Sequence, residues 1–248
     1  MIDTHAHLDA CAEPPQVVLA RARAVGVTRV IAIGSGIESC RRALALAEHE
    51  PGVECAIGIH PHQAGGDEAA RLTELAALLD GGRAVAVGEI GLDFYRDYAP
   101  RDRQLSVFRA QLELAAERSL PVVVHTRAAT EQTLSALATF AGTVVLHCFS
   151  APELLPDAVE RGYYLSFAGN VTYPKAAELR AAAARAPGSR ILAETDAPYL
   201  APQPVRGRPC EPAHVLHTLA ALAAARGEPE AALEARIEEN AAAAFCLS

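Results

Sequence analysis

Pro121-Val122-Val123-Val124-His125 is an unbroken apolar run that ends on an imidazole. Successive β-branched residues suit a strand. The absence of apolar–polar alternation points to a strand covered on both faces, as in a parallel sheet. Just upstream, residues 100–118 set Leu105, Phe108, Leu112 and Ala115 three and four positions apart, so that they share one face of a helix able to pack on that strand.

The same alternation of short apolar runs with longer amphipathic stretches extends in both directions. Strands are predicted at residues 1–5, 29–34, 53–60, 84–90, 121–125, 143–147, 163–167 and 190–196. Gly26, Pro51-Gly52 and Gly81-Gly82 supply stops after the first three helices, and the Ala-rich tail from Glu211 to Leu247 reads as two closing helices. Eight strand–helix units favour a (β/α)8 TIM barrel, with parallel strands inside an outer ring of helices, over an open doubly wound sheet. The open sheet would need a glycine-rich phosphate turn after an early strand. Gly34-Ser35-Gly36 lacks the third glycine at the required offset.

The bulk numbers agree. A length of 248 residues suits one barrel domain spanning 1–248, and 51% hydrophobic with 21% charged residues describes a chain able to bury a large core. No stretch has the apolar length of a membrane span, and Met1-Ile2-Asp3-Thr4-His5 lacks the basic start of a signal peptide. A cytoplasmic location is expected, with no membrane and no obligate protein partner. Six scattered cysteines without a C-x-x-C pair read as reduced thiols. A net charge of −8 argues against a broad nucleic-acid-coating surface and leaves room for a confined basic patch.

Chemistry enters where the apolar runs stop. His5 and His7 end the first run, His60 and His62 follow the third, and Glu89 lies near the end of the fourth. His125, His147 and Asp196 end the fifth, sixth and eighth. Parallel barrel strands deliver their C-terminal ends to one face, where catalytic groups collect. One histidine at a strand end is ordinarily a hydrogen-bonded core or surface group, and a lone aspartate before Ala197-Pro198 is ordinarily a turn residue. Six such coincidences on one face are better explained by a binuclear metal site. His5-Ala6-His7 puts two imidazoles on one side of an extended strand for one ion, with Asp196 joining them. His125 and His147 are placed to hold a second ion, with Glu89 bridging the pair. Two such ions support hydrolysis by metal-activated water. Four imidazoles suit zinc, manganese or nickel better than magnesium.

His62, Arg127, Asn170, Lys175 and Arg206 lie just beyond strand ends and offer donors to a phosphate. Arg96, Arg101 and Arg103 are weaker candidates, and Asp93 is read either as a turn residue or as the partner of a ligand imidazole.

Three early motifs, Asp3-Thr4-His5-Ala6-His7-Leu8, Gly58-Ile59-His60-Pro61-His62 and Gly88-Glu89-Ile90-Gly91-Leu92-Asp93-Phe94-Tyr95, are similar to those of the TatD family of metal-dependent deoxyribonucleases. Later segments agree in order: Leu120-Pro121-Val122-Val123-Val124-His125-Thr126-Arg127, His147-Cys148-Phe149-Ser150 and Glu194-Thr195-Asp196-Ala197-Pro198-Tyr199-Leu200. The resemblance implies a barrel, two divalent ions and cleavage of phosphodiester bonds in DNA from the 3′ end, on single-stranded or frayed ends, in a family commonly described as magnesium-dependent. It also implies that His5, His7 and Asp196 hold one ion, that Glu89 bridges, and that His125 and His147 hold the other. Asp196 would take a proton from the attacking water, with Glu89 the second catalytic carboxylate, and His62 and Arg206 would approach the phosphate. Ala128, Ala151 and Cys210 stand where the resembled family usually has an acidic residue, a glycine and an asparagine. These departures bear on loop geometry and substrate choice.

The competing chemistry is an amidohydrolase-type C–N or ester hydrolase acting on a small molecule or an aminoacyl-RNA. Such barrels often bridge their metals with a carboxylated lysine from strand four. Glu89 occupies that place, and the chain's one lysine, Lys175, falls after strand seven. A purely binding protein would be expected to lack some of the six ligands, and all are present.

Overall fold

Eight strands carry the sheet: β1 (Ile2–Ala6), β2 (Arg29–Gly34), β3 (Val53–Ile57), β4 (Ala86–Asp93), β5 (Val122–Arg127), β6 (Val144–Leu146), β7 (Tyr164–Phe167) and β8 (Ile191–Ala193). The computed structural model, which describes residues 1–247, orders them β1 to β8 without a crossover. Every register it records is parallel. Between and after the strands lie α1 (Pro15–Ala24), α2 (Ile37–His49), α3 (Leu72–Asp80), α4 (Arg101–Glu117), α5 (Thr130–Ala136), α6 (Leu155–Glu160), α7 (Ala177–Arg185), α8 (Val215–Arg226) and α9 (Glu230–Phe245). This is the predicted (β/α)8 barrel order. Among the described residues no helix is long and apolar enough to cross a membrane.

By internal contact the chain divides into two units, one made of Met1–Ala32 and the chain from His147 onward, the other of Ile33–Leu146. In the first unit β7 pairs with β8, and a parallel bridge joins Ala6 to Ala197, with the His7 N–H donating to the Ala197 carbonyl at 2.7 Å. The core there includes Ile2, Leu165, Phe167 and Ile191, over which α9 lays Leu233, Ile237 and Phe245. Asn240, on the buried side of α9, donates to the carbonyls of Gly188 and Ile191, both at 2.8 Å.

In the second unit β4 is the longest strand and is buried throughout. Its last residues pair with β5 as far as Asp93 opposite Arg127. The helical face predicted in α4 is present: Phe108, Leu112 and Ala115 are buried, while Leu105 is half-buried. The same face also buries Gln104 and Gln111. Gln111 accepts from the Ile59 N–H at 2.7 Å and donates to the Ile59 carbonyl at 3.0 Å. Gln104 does the same for Asp93, at 2.8 and 3.1 Å. One helix thereby fixes the backbone that carries both His60 and Asp93.

Several predicted strand ends shift. β3 stops at Ile57 instead of residue 60, because the Ile59 backbone is held by Gln111 and not by a ladder. β8 stops at Ala193 instead of residue 196, because Asp196 turns the chain with φ of 57°. β4 and β5 run further than expected, so Glu89 and His125 lie inside strands and not at their ends.

Candidate metal centre

In the unit that carries β1 and β8, His5 lies within β1 and His7 one residue past its end. The two Nε2 atoms lie 3.3 Å apart, and Asp196 Oδ1 stands 3.8 Å from the first and 3.6 Å from the second. Two donors each about 2.05 Å from a tetrahedral zinc are about 3.3 Å from one another. The imidazole pair therefore has the spacing of ligands to one ion, with the carboxylate slightly outside it. Asp196 reaches this place because its N–H donates to the His5 carbonyl at 2.9 Å. Behind both, Asp3 accepts from Thr195, through the N–H at 2.9 Å and the hydroxyl at 2.5 Å, and from the His5 N–H at 3.3 Å. Burial pushes Asp3 up to about 8 against those hydrogen bonds.

His147 follows β6 and stacks on the His5 ring, with centroids 3.9 Å apart and planes inclined by 13°. Its Nδ1 faces Glu194 Oε1 at 3.1 Å, and the same oxygen accepts from the Cys148 N–H at 2.9 Å. Glu194 is wholly buried, and its second oxygen has no hydrogen-bond partner among the described residues. Burial works to raise its pKa, but the charge and hydrogen bond of His147 outweigh this and hold it below the usual carboxylate range. A carboxylate on Nδ1 fixes the ring's tautomer and orientation, the arrangement common to metal-binding histidines.

The unit that carries β4 and β5 repeats the pattern. Glu89 Oε1 lies 2.9 Å from His125 Nδ1, a separation two ligands of one ion can have, and Asp93 Oδ2 lies 3.3 Å from Nε2 on the far side of the ring. Asp93 Oδ2 also meets His62 Nε2 at 2.8 Å, while its Oδ1 accepts from the N–H groups of Tyr95 and Arg96. Asp93 thus both closes the turn after β4 and pairs with two imidazoles. Burial would raise its pKa, but the hydrogen bonds from His125, Arg96 and His62 hold it well below the usual carboxylate range.

His60, absent from the sequence-based ligand set, joins this group with Nε2 3.3 Å from Glu89 Oε1. Its Nδ1 accepts the His62 N–H at 3.1 Å, which leaves the proton of the neutral ring on Nε2, directed at Glu89. Burial lowers His60 to about 4, so the ring is neutral at physiological pH. Its place is behind Glu89, orienting that carboxylate. The sequence signal for it is the His60-Pro61-His62 spacing just after β3. Glu194 and Asp3 sit in the Glu194–Leu200 and Asp3–Leu8 motifs, where no sequence pattern marks them as buried partners of this site.

Two glycines flank Glu89 for a steric reason. A Cβ on Gly91, at φ of 133°, would lie 2.1 Å from the His125 carbonyl oxygen, and one on Gly88 would lie 2.5 Å from Val123 Cβ. The β4 and β5 backbones approach too closely here for any side chain.

Of the phosphate-directed candidates, His62 is tied to Asp93, and Arg127 lies over the Tyr95 ring at 4.1 Å. Asn170 donates to Ser150 Oγ at 3.0 Å, and Arg206 lies over the Tyr173 ring at 4.1 Å, three residues from Asn170. Lys175 is exposed. Ala151 has φ of −114°, which any residue adopts, so the departure from glycine there costs nothing. Ala128 takes φ of 52°, and Cys210 is buried, its thiol 3.9 Å from the Thr195 carbonyl. All six cysteines are free thiols, as expected.

Known proteins match this chain over most of its length. The family described as "TatD related DNase" matches residues 2–246. The 3′-5′ ssDNA/RNA exonuclease TatD of Cronobacter sakazakii is 39% identical over 239 residues, covering 92% of this chain and 90% of that protein. The uncharacterized metal-dependent hydrolase YabD of Bacillus subtilis is 36% identical over 221 residues, covering 87% of each. The crystal structure of YJJV, a TatD homolog from Escherichia coli, superposes with a TM-score of 0.95 at 31% identity, covering 100% of this chain and 98% of that one. Motifs, fold and match along the chain agree, and the protein belongs to the TatD-related DNase family of metal-dependent hydrolases.

Proposed function

We propose that the protein is a divalent-metal-dependent nuclease that removes nucleotides from the 3′ ends of single-stranded or frayed DNA, with RNA ends as a second substrate. The observation that carries the reading is the His5–His7–Asp196 group, two imidazoles at ligand spacing with a carboxylate beside them, in a family of hydrolases. Relatives whose names give single-strand 3′-5′ exonuclease activity supply the substrate. Bound there, divalent ions would supply Lewis acidity toward a phosphoryl oxygen and a water. His5, His7 and Asp196 would hold one ion. Glu89 and His125 would hold a second, and His147 offers a further imidazole in the first unit.

The protein's own groups do the rest. Asp196, with its side chain 13% exposed, is the carboxylate of the first group that solvent reaches, and it accepts a proton from the attacking water. Glu194 and Asp93 keep the His147 and His125 rings in register. Arg127 and Arg206, both exposed, supply positive charge to the phosphates of the strand.

The test is metal-loaded protein incubated with end-labelled DNA, RNA and a panel of small amides. Shortening of 5′-labelled single strands from the 3′ end is expected. Brisk amide hydrolysis with intact DNA and RNA overturns the reading in favour of C–N chemistry.

A further inference from the structure

We infer that the loop between β4 and α4 is a stacking platform for the unpaired bases of the substrate, with Tyr95 and Tyr98 as its rings. The inference rests on the nuclease reading above and specifies how that site would hold a strand. Tyr95 and Tyr98 are each 64% exposed, the two most exposed large hydrophobic side chains among the described residues. Tyrosines gain by burying their rings, so two left in water on one short loop call for a function.

The loop is held in place at both ends. Asp93 Oδ1 takes the N–H groups of Tyr95 at 3.0 Å and Arg96 at 2.9 Å, and Gln104 donates to the carbonyls of Asp93 and Ala99. The exposed rings therefore sit on a fixed frame. They also adjoin the candidate metal ligands of their own unit. Tyr98 meets the His62 ring edge-on at 4.8 Å, and His62 shares Asp93 with His125. Arg127, two residues beyond His125 on β5, lays its guanidinium over Tyr95 at 4.1 Å.

Charge fits the same occupant. The chain carries −8 overall, yet exposed Arg96, Arg101, Arg103 and Arg127 outnumber the exposed Asp97 and Asp102 on this loop and its neighbours. Rings that stack on any base, beside guanidinium groups that follow the backbone, are the combination by which proteins hold single strands without reading sequence. A small amide or ester would use neither.

The experiment compares two single strands with identical backbones, one bearing bases near its 3′ end and one carrying abasic residues there. Each is cleaved by the metal-loaded full chain. The wild type should show a KM about tenfold or more lower for the base-bearing strand, the scale of one stacked base. Y95A/Y98A should bring the KM ratio close to one with kcat for the abasic strand little changed, and Y95F/Y98F should keep the wild-type ratio. Equal KM values in the wild type, or a ratio that survives Y95A/Y98A, overturn the platform while leaving the nuclease reading intact. Failure of the wild type to cleave either strand overturns that reading and the platform with it.

Discussion

Glu194 and Asp93 occupy equivalent positions behind two imidazoles, and neither has a surface role. Glu194 is completely buried, and removal of its charge would leave His147 Nδ1 and the Cys148 N–H facing a weaker acceptor. Glu194→Gln should lower divalent-ion affinity by about 10–100-fold, the usual effect of losing the carboxylate behind a ligand histidine. Calorimetric titration of chelated protein with zinc measures it, and unchanged affinity would remove Glu194 from the metal-binding machinery. Asp196 should separate differently. Asp196→Asn is expected to lower kcat at least 100-fold, in line with loss of a general base, once added ion restores the wild-type metal content measured by elemental analysis. Wild-type turnover at equal metal content would assign the proton to another group.

At this scale the sequence displays the candidate ligands and hides the residues behind them. A histidine that ends an apolar run is visible because it interrupts a pattern, as His125 and His147 do. Glu194 and Asp3 are invisible by the same logic, because a carboxylate inside a strand or a motif gives no sign that it is buried. His60 stands out in the sequence but its task does not, since that depends on whether Nδ1 or Nε2 carries the proton, which is set by the His62 backbone N–H.

Among the elements, α4 does more than cover the sheet. Its apolar period was legible from Phe108, Leu112 and Ala115, whereas Gln104 and Gln111 read as ordinary polar positions and are among the most buried residues of the helix. Each closes a pair of hydrogen bonds on one backbone residue, a contact that no pattern in the helix itself reveals. Gln111→Met keeps the volume but leaves the Ile59 N–H and carbonyl without that partner, so a loss of roughly 1–3 kcal/mol per buried unsatisfied group is expected in denaturant unfolding. Because Ile59 precedes His60, the same variant should also weaken metal binding. Phe108→Ala, a fully buried ring on the same face, should cost roughly 3–5 kcal/mol, without the specific effect on metal affinity. Comparison of the two separates positioning from bulk stability.

For the whole molecule, eight parallel strands in sequence order follow from the alternation of short apolar runs with amphipathic stretches, and that much was readable at the outset. Strand limits were not. They depend on which backbone groups a side chain claims, as Gln111 does those of Ile59, and on where the chain turns, as it does at Asp196. Activity should require the ion throughout, so chelation is expected to abolish hydrolysis and readdition of a divalent ion to restore it. The account stands most directly on where that ion goes. Crystals loaded with zinc or manganese and measured at the metal absorption edge should show anomalous peaks among His5, His7 and Asp196 and beside Glu89 and His125. Fully loaded crystals with no peak at either group would contradict it.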